Sequence, residues 1–200
     1  MKKIKFLFPV AVIALVSVFA ACSPEDEQEL PKLNKAIYFE DFEWFTQGNL
    51  DQNTWTTNVV KGTKPWKFET RNNDSYLFFS AFESPKETAN DSWIVSKDIN
   101  IDNANVKRLT FISTQGFVTD STNNKLELYA IHNISETSAD TVMLKFNKPV
   151  LNQGNFKWVN SGNISLSSFK GPIKIAFRVT GSGTDTNADG TYEVDNIKVF

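Results

Sequence analysis

The sequence predicts an all-β protein, a two-sheet antiparallel β-sandwich of the jelly-roll type. From residue 36 to residue 200 the chain consists of short runs rich in β-branched and aromatic residues, separated by Asn, Asp, Gly, Ser and Thr. No run has the three-and-four spacing of apolar residues that marks an amphipathic helix. About ten strands with turns between them pack most economically as two antiparallel sheets.

Eleven runs are predicted to form the strands, and two of them alternate most regularly. Leu126 and Leu128 share a face in one of these two runs, and Ile173 and Ile175 share a face in the other. Each of the two strands is therefore expected to bury one face. The predicted strands are Ala36–Glu43, Trp55–Val60, Trp66–Thr70, Tyr76–Phe82, Ser92–Asn100, Val106–Gln115, Lys125–His132, Val142–Phe146, Phe156–Asn160, Ile173–Thr180 and Tyr192–Phe200.

The N-terminus predicts export followed by lipidation. Residues 1–21 carry three lysines before an apolar run that is shorter than the roughly 20 residues a spanning helix needs, so they are predicted to be a signal peptide. The only cysteine, Cys22, follows in the stretch FAAC, which resembles a bacterial lipobox. The sequence therefore predicts a lipid anchor on Cys22 that holds the protein to a membrane. The alternative is an ordinary secreted protein in which this cysteine occurs by chance.

Residues 22–35 are predicted to be an acidic flexible tether between the anchor and a single domain at 36–200. The tether begins SPEDEQE, and acidic segments with few apolar residues do not fold by themselves. The stretch resembles the acidic run that directs lipoproteins of the Bacteroidetes to the outer face of the outer membrane. The predicted localisation is the outer membrane, with a lipid anchor and exposure on the cell surface.

The charge of the chain argues against nucleic acid as a partner. Removal of residues 1–21 takes away three lysines and no acid, which changes the net charge from −2 to −5. The remaining chain has no cluster of Lys and Arg that could neutralise a row of phosphates. We therefore predict no binding to nucleic acid.

The order of short motifs in the domain resembles a known family. These motifs extend from about Phe39 to Phe200 and include FEDFE, TWTT, WKFE, YLFFSAF, DSWIVSKDINI, RLTFIST, LELYAI and TYEVDNIKVF. Together they resemble the choice-of-anchor J and cleaved adhesin-like domains of Bacteroidetes surface lipoproteins, which look like the MAM jelly roll. The resemblance implies a non-catalytic jelly roll associated with adhesion or glycan contact, and often a structural cation between its first and last strands.

Acidic residues near both ends of the domain are candidates for holding calcium. Asp41 and Glu43 share a face of the first predicted strand, and Glu193 and Asp195 share a face of the last. The resemblance implies that Asp41, Glu43, Asp195 and Asn196 match the cation ligands of the family, with Asn196 in place of a second acid. Calcium takes six to eight oxygen ligands, so backbone carbonyls or a turn residue must complete the shell. The alternative is a set of solvated acids at a sheet edge.

The stretch DTNADG, residues 185–190, also begins like a calcium loop. Such loops place a bidentate Glu at the twelfth position, which is Asn196 here. We therefore interpret the stretch as a turn, with Asp189-Gly190 as the signal of a hairpin.

Aromatic residues outside the predicted core are candidates for ligand contact. Trp44 and Phe45 are adjacent in a loop after the first strand, where both cannot face a strand core, and they are predicted to bind ligand. Trp55 and Trp93 match core positions of the family. Arg178 is interpreted as a solvated charge on a strand face.

Little in the sequence points to catalysis. His132 is the only histidine, it is interpreted as a structural residue at a strand end, and no nucleophile or zinc motif occurs. We therefore predict a non-catalytic surface lipoprotein that acts in adhesion or glycan contact, with glycans or surface proteins as partners. One alternative is a structural or accessory subunit of an outer-membrane complex. Another is a glycoside hydrolase that uses a pair of carboxylates.

Overall fold

The computed structural model describes residues 34–43, 54–133, 135, 138–151 and 156–200. Three residues to which the sequence assigns a role, Cys22, Trp44 and Phe45, lie outside the described residues, as does the predicted signal peptide. Within the described ranges, the search for a helix long and apolar enough to cross a membrane finds none.

The predicted all-β class is confirmed, because the described residues form thirteen β-strands and a single 3₁₀ turn at Ile101–Asn103. The strand predicted at Lys125–His132 has the bounds seen in the structure. The run predicted at Ser92–Asn100 divides into two strands, and the short strand at Ile164–Ser165 was not predicted. The strands are β1 Tyr38–Glu40, β2 Trp55–Lys61, β3 Lys67–Arg71, β4 Asp74–Ser80, β5 Asn90–Ser96, β6 Ile99–Asn100, β7 Arg108–Gly116, β8 Lys125–His132, β9 Asp140–Leu144, β10 Val159–Asn160, β11 Ile164–Ser165, β12 Pro172–Gly181 and β13 Thr191–Val199.

The strands form two antiparallel sheets. The first sheet has the order β10-β7-β13-β4-β3, with β1 also paired to β13 and β11 also paired to β7. The second sheet has the order β2-β5-β12-β8-β9, with β6 also paired to β12. Several strands that are neighbours in the chain, such as β12 and β13, lie in different sheets, as in a jelly roll.

The core lies between the two sheets and is rich in aromatic residues. Alternate residues of β12, such as Ile175 and Phe177, are fully buried against residues of the first sheet that include Phe111. The rings of Phe111 and Phe177 meet edge to face, with centroids 5.1 Å apart. The face of β12 that alternates with this set is therefore the outer face of the second sheet.

Strand β13 lies at the centre of the first sheet. One of its edges pairs with β7, and its other edge is shared by β4 and β1. Its first half pairs with β4 from Thr191 to Val194, and its second half pairs with β1, which places Glu40 opposite Ile197. Between the two halves the register shifts at Asp195, and Asn196 has a left-handed backbone with φ of 54°. The end of β1 and the start of β4 therefore meet beside this irregularity.

The hairpin predicted at Asp189-Gly190 is wrong. Because β12 belongs to the second sheet and β13 to the first, the segment between them crosses from one sheet to the other. We call residues 182–190 the crossing loop. Packed sheets are about 10 Å apart, and a two-residue turn cannot span that gap.

Candidate functional site

A cluster of polar and aromatic residues occupies the outer face of the second sheet. We call Asp91, Trp93, Glu127, Tyr129 and Arg178 the Arg178 cluster. In the sheet register Arg178 on β12 lies opposite Trp93 on β5 and opposite Glu127 on β8. The three side chains therefore stand in one row across three neighbouring strands, on the face that points away from the core.

The guanidinium group of Arg178 holds two carboxylates in fixed positions. Its Nε donates to Asp91 Oδ1 at 2.9 Å, its Nη2 donates to Asp91 Oδ2 at 2.6 Å, and its Nη1 donates to Glu127 Oε2 at 3.2 Å. The hydroxyl of Tyr129 donates to the same Glu127 oxygen at 3.0 Å. Paired donors on one carboxylate give a bidentate contact, which fixes direction as well as distance.

Charge pairing determines the protonation of this cluster. The hydrogen bonds from Arg178 lower the pKa of Asp91, even though its burial acts in the opposite direction. The same hydrogen bonds raise the pKa of Arg178 above its ordinary value. Asp91 is therefore ionised at neutral pH and is held as a hydrogen-bond acceptor.

Two aromatic rings complete the cluster. The ring centroids of Trp93 and Tyr129 are 4.8 Å apart at an interplanar angle of 39°, and the Arg178 guanidinium carbon lies 5.4 Å from the Trp93 ring centroid. Tyr129 is buried, whereas Trp93 is partly exposed. The cluster can therefore offer one aromatic surface to a ligand, next to polar groups whose positions are already fixed.

The expectation that Trp93 belongs to the core is wrong. On β5 the inward residues are Ser92 and Ile94, both fully buried, and Trp93 lies between them on the outer face. Arg178 is likewise an ion-paired residue rather than a solvated charge, since its side chain is only 28% exposed. The only signal in the sequence was the acid Asp91, two residues before Trp93 and thus on the same face of the strand.

A polar cavity adjoins the Arg178 cluster at one end of the second sheet. It has a volume of about 510 Å³, and we call it the end cavity. Asp91, Arg178 and Thr180 belong to both the outer face and the lining of the cavity. Residues from four other segments complete the lining, among them Lys61, Asn123 and Asp185.

The predicted cation ligands lie on the first sheet, where β1 ends and β4 begins beside Asp195. We call Asp41, Glu43, Asp74 and Asp195 the acidic corner. Glu43 Oε1 accepts a hydrogen bond from the backbone N–H of Ser75 at 3.0 Å, which ties the end of β1 to the start of β4. The prediction that Asp41 and Glu43 share a face of the first strand is wrong, because β1 ends at Glu40 and the intervening Phe42 has a left-handed backbone with φ of 58°. Phe42 is fully buried in the core, and its ring centroid lies 5.9 Å from that of Trp55.

Burial gives Asp195 an unusual protonation. It raises the pKa of Asp195 to about 7, and the negative charges of Asp74 and Asp41 act in the same direction. Asp195 Oδ2 accepts a hydrogen bond from Asn196 Nδ2 at 2.8 Å, but Asp195 Oδ1 is buried without a partner. The side-chain amide of Asn196, a predicted cation ligand, is therefore a hydrogen-bond donor to Asp195 in this structure.

Glu193 shares the outer face of β13 with Asp195. Its burial raises the pKa of Glu193 to about 7, and Glu193 Oε1 also has no hydrogen-bond partner. Among the described residues, however, no three His, Cys, Asp or Glu side chains are arranged so that they could hold a metal ion. The oxygen-rich donors and the unpartnered oxygen of Asp195 suit a hard cation, but the carboxylates must move closer together to bind one.

His132 has a structural environment. It is the last residue of β8, and its ring meets that of Phe169 edge to face with centroids 5.0 Å apart.

Comparison with known proteins gives similarity of fold. No family model and no curated protein sequence matches the chain. The K1 cleaved adhesin domain of Lys-gingipain from Porphyromonas gingivalis W83 is 16% identical, with a TM-score of 0.48, over 82% of this chain and 96% of that domain.

Two carbohydrate-binding modules are similar to a comparable extent. The family 11 module of the cellulosomal cellulase Lic26A-Cel5E of Clostridium thermocellum is 16% identical, with a TM-score of 0.46, over 84% of this chain and 94% of the module. The CBM22-1 xylan-binding domain from Paenibacillus barcinonensis Xyn10C is 15% identical, with a TM-score of 0.43, over 85% of this chain and 96% of that domain. These similarities concern the β-sandwich alone.

Proposed function

We propose that this domain is a non-catalytic module that binds glycans through the Arg178 cluster. The observation that carries the proposal is the partly exposed ring of Trp93 beside a buried network of Arg178, Asp91 and Glu127. Sugars are bound by aromatic faces, which cover their C–H groups, together with a few polar groups in fixed positions. The network is ordered before a ligand arrives, so binding does not have to order it.

Binding fits this cluster better than hydrolysis does. A glycosidase needs one protonated carboxyl group to donate a proton to the leaving oxygen. Asp91 has a lowered pKa, and both Asp91 and Glu127 are paired with Arg178. Asp91 is therefore not suited to serve as the acid at neutral pH, and Glu127 Oε2 is already occupied by hydrogen bonds from Arg178 and Tyr129.

The direct test is the replacement of Trp93 by Ala. For any neutral glycan that the wild-type domain binds, we expect Trp93→Ala to weaken the affinity by at least about tenfold or to abolish binding. The reason is that the aromatic stacking surface is lost. The measurement is calorimetric titration after a screen on immobilised glycans. Phe117→Ala is the matched control, since Phe117 is an exposed aromatic residue beyond the end of β7, outside the Arg178 cluster. Equal affinity of the Trp93 variant and the wild type would refute the proposal.

The aromatic pair predicted from the sequence, Trp44 and Phe45, stays a prediction, and Trp44→Ala belongs in the same screen. Loss of binding in Trp44→Ala but not in Trp93→Ala would move the site to that loop. Copurification with an outer-membrane partner, together with no glycan binding, would favour the accessory-subunit alternative.

We also propose that calcium stabilises the acidic corner as a structural ion. Asp41, Glu43, Asp74 and Asp195 would supply carboxylate oxygens, and the ion would neutralise the charges that raise the pKa of Asp195. The unpartnered Asp195 Oδ1 supports this role.

The proposed cellular setting is a lipid anchor on Cys22 at the outer membrane, with the domain exposed on the cell surface. Metabolic labelling with a palmitate analogue is expected to mark the wild-type protein and not Cys22→Ala. Protease accessibility on intact cells then tests surface exposure. Labelling of both proteins, or of neither, would contradict the lipid anchor.

A further inference from the structure

The end cavity lies at the edge of the outer face of the second sheet, between the strand ends and the crossing loop. Arg178 forms part of its lining and also lies against Trp93, so the cavity and the aromatic surface are continuous. On the far side, residues of the crossing loop, including Thr184 and Asp185, line the cavity. A ligand that rests on Trp93 and extends past Arg178 therefore meets the crossing loop.

Backbone hydrogen bonds fix this part of the crossing loop. The N–H of Ser182 donates to Ala188 O at 2.7 Å, and the N–H of Gly183 donates to Glu87 O at 2.8 Å. Asp185 Oδ1 accepts from the backbone N–H of Asn187 at 2.9 Å. The loop is thus closed on itself and joined to the segment that precedes β5.

Close packing behind the loop adds to this restraint. A Cβ atom at Gly183 would lie 2.4 Å from the carbonyl oxygen of Ala81, a distance that real structures do not allow. Only glycine lets the loop lie this close to the β4–β5 connection. The crossing loop is therefore held in place on one side of the end cavity. A long ligand could not displace it without breaking these hydrogen bonds and packing contacts.

The positive and negative side chains that line the end cavity are equal in number. They are two cations, Lys61 and Arg178, and two anions, Asp91 and Asp185. Arg178 is already bonded to Asp91 and Glu127, so an acidic sugar would compete with carboxylates for it. The remaining lining includes hydroxyl and amide groups, which suit the hydroxyls of a neutral sugar.

From these features we infer that the site recognises the end of a neutral glycan chain. The terminal sugar lies in the end cavity against the crossing loop, and the adjoining sugar lies on Trp93. This inference rests on the proposed glycan-binding function and deepens it. It differs from recognition of an internal stretch of a polymer, for which both ends of a site must be open.

The test compares intact and cleaved glycans at equal mass. The probes are xylan, mannan, β-1,3-1,4-glucan and amylose, each intact and after limited endo-hydrolysis to short oligosaccharides, with polygalacturonate as the acidic probe. Cleavage multiplies the chain ends, so we expect affinity per unit mass to rise in proportion to the number of ends. Polygalacturonate is expected to bind at least about tenfold more weakly than the best neutral probe.

Two variants of the crossing loop provide a matched pair. Thr184→Phe fills the end cavity and is expected to weaken oligosaccharide binding by about tenfold or more, whereas Thr186→Phe, at an exposed position of the same loop outside the cavity lining, should not. Circular dichroism and the melting temperature check that both variants fold.

The outcomes separate the inference from the proposed function. If intact and cleaved glycans bind equally per unit mass, with Trp93→Ala still defective, chain-end recognition is overturned and glycan binding stands. Equal effects of Thr184→Phe and Thr186→Phe, or tight binding of polygalacturonate, also overturn the inference. If no probe binds, the proposed function fails and the inference fails with it.

Discussion

On the outer face of the second sheet Asp91 and Glu127 are buried against Arg178, whereas on the outer face of the first sheet Glu193 and Asp195 are buried with no ion pair among the described residues. The pKa of Asp91 is lowered by the hydrogen bonds from Arg178. Burial instead raises the pKa of both Glu193 and Asp195 to about 7. Buried carboxyl groups on the two outer faces therefore differ in pKa, because Arg178 donates hydrogen bonds to Asp91, whereas the nearby Arg71 lowers the pKa of Glu193 less than burial raises it.

The two faces are consequently suited to different tasks. On the second sheet Asp91, whose pKa is lowered, keeps one charge state at neutral pH, and the hydrogen bonds from Arg178 make the surface rigid. The carboxyl groups of Glu193 and Asp195 on the first sheet change charge near neutral pH. The folded domain is therefore stabilised when these groups bind a proton or a cation. Substitutions that remove the cation from one face, or the charge from the other, test this contrast.

The largest expected effect is that of Arg178→Met. This substitution leaves the buried Asp91 without its ion-pair partner, whereas Glu127 keeps Lys125 at 3.5 Å. Loss of one partner of a buried ion pair costs up to about 3–5 kcal/mol. Denaturant-induced unfolding at pH 7 measures the loss. The control is Lys174→Met, whose ion pair with the exposed Asp98 contributes at most about 1 kcal/mol. Equal losses in the two variants would mean that the Arg178 pair contributes no more than a surface contact.

The next effect has the opposite sign. Asp195→Asn is expected to stabilise the calcium-free domain at pH 8 by on the order of 2–4 kcal/mol, because a buried charge is removed. In the wild type the folded state retains a proton that the unfolded state releases at lower pH. The unfolding free energy therefore falls as pH rises from about 4 to about 7.

Unfolding measured at several pH values checks this prediction. The stabilisation by Asp195→Asn is expected to shrink as the pH is lowered toward 4, since the wild-type carboxyl group is then protonated in both states. Glu193→Gln is the companion variant, because Glu193 has a similarly raised pKa. A destabilisation by Asp195→Asn at pH 8 would show that Asp195 is not a buried uncompensated acid.

Calcium is expected to have a smaller effect. For a dissociation constant near 10⁻⁴ M, 1 mM calcium contributes about 1.4 kcal/mol, or several degrees in melting temperature for a domain of this size. Melting curves with calcium and with a chelator measure this at pH 8. Asp195→Asn should abolish the shift. A calcium shift that persists in this variant would place the ion elsewhere.

The smallest effect concerns two tyrosines, one in each face. Tyr129→Phe removes the hydrogen bond to Glu127 Oε2 and is expected to cost about 1 kcal/mol. Tyr76→Phe removes a buried hydroxyl that has no partner and is expected to cost nothing or to stabilise slightly. Unfolding of both variants in parallel makes the comparison, and the reverse order of stability would contradict it.

The sequence was sufficient to predict the fold wherever alternation was clear. Leu126 and Leu128 on β8 and Ile175 and Phe177 on β12 are buried as their spacing predicted. Strand β5 was harder to interpret, because its inward face contains Ser92 and Ser96, whereas its outward face contains Trp93. Hydrophobicity therefore did not distinguish the two faces of this strand, and the main candidate residue for ligand binding was assigned to the core.

The end cavity could not be predicted from local patterns. Its lining comes from β2, the segment before β5, the segment before β8, β12 and the crossing loop, and only the sheet order brings them together. The acidic corner was only partly predictable: β1 does pair with β13, but Asp41 and Glu43 follow the end of β1 rather than lying on it. Among the described residues Arg71 lies near Glu193 without forming an ion pair with it, which is a tertiary property that spacing does not report.

The pairing of β1 with β13 also gives the chain a nearly circular path. Tyr38 lies opposite Val199, and partners in an antiparallel ladder are about 5 Å apart. A short linker could therefore join residue 200 to residue 37 without strain, and new ends could be opened in the exposed segment before β7. Such a circular permutant would keep the Arg178 cluster on neighbouring strands of the second sheet while freeing β1 from its position at the start of the domain.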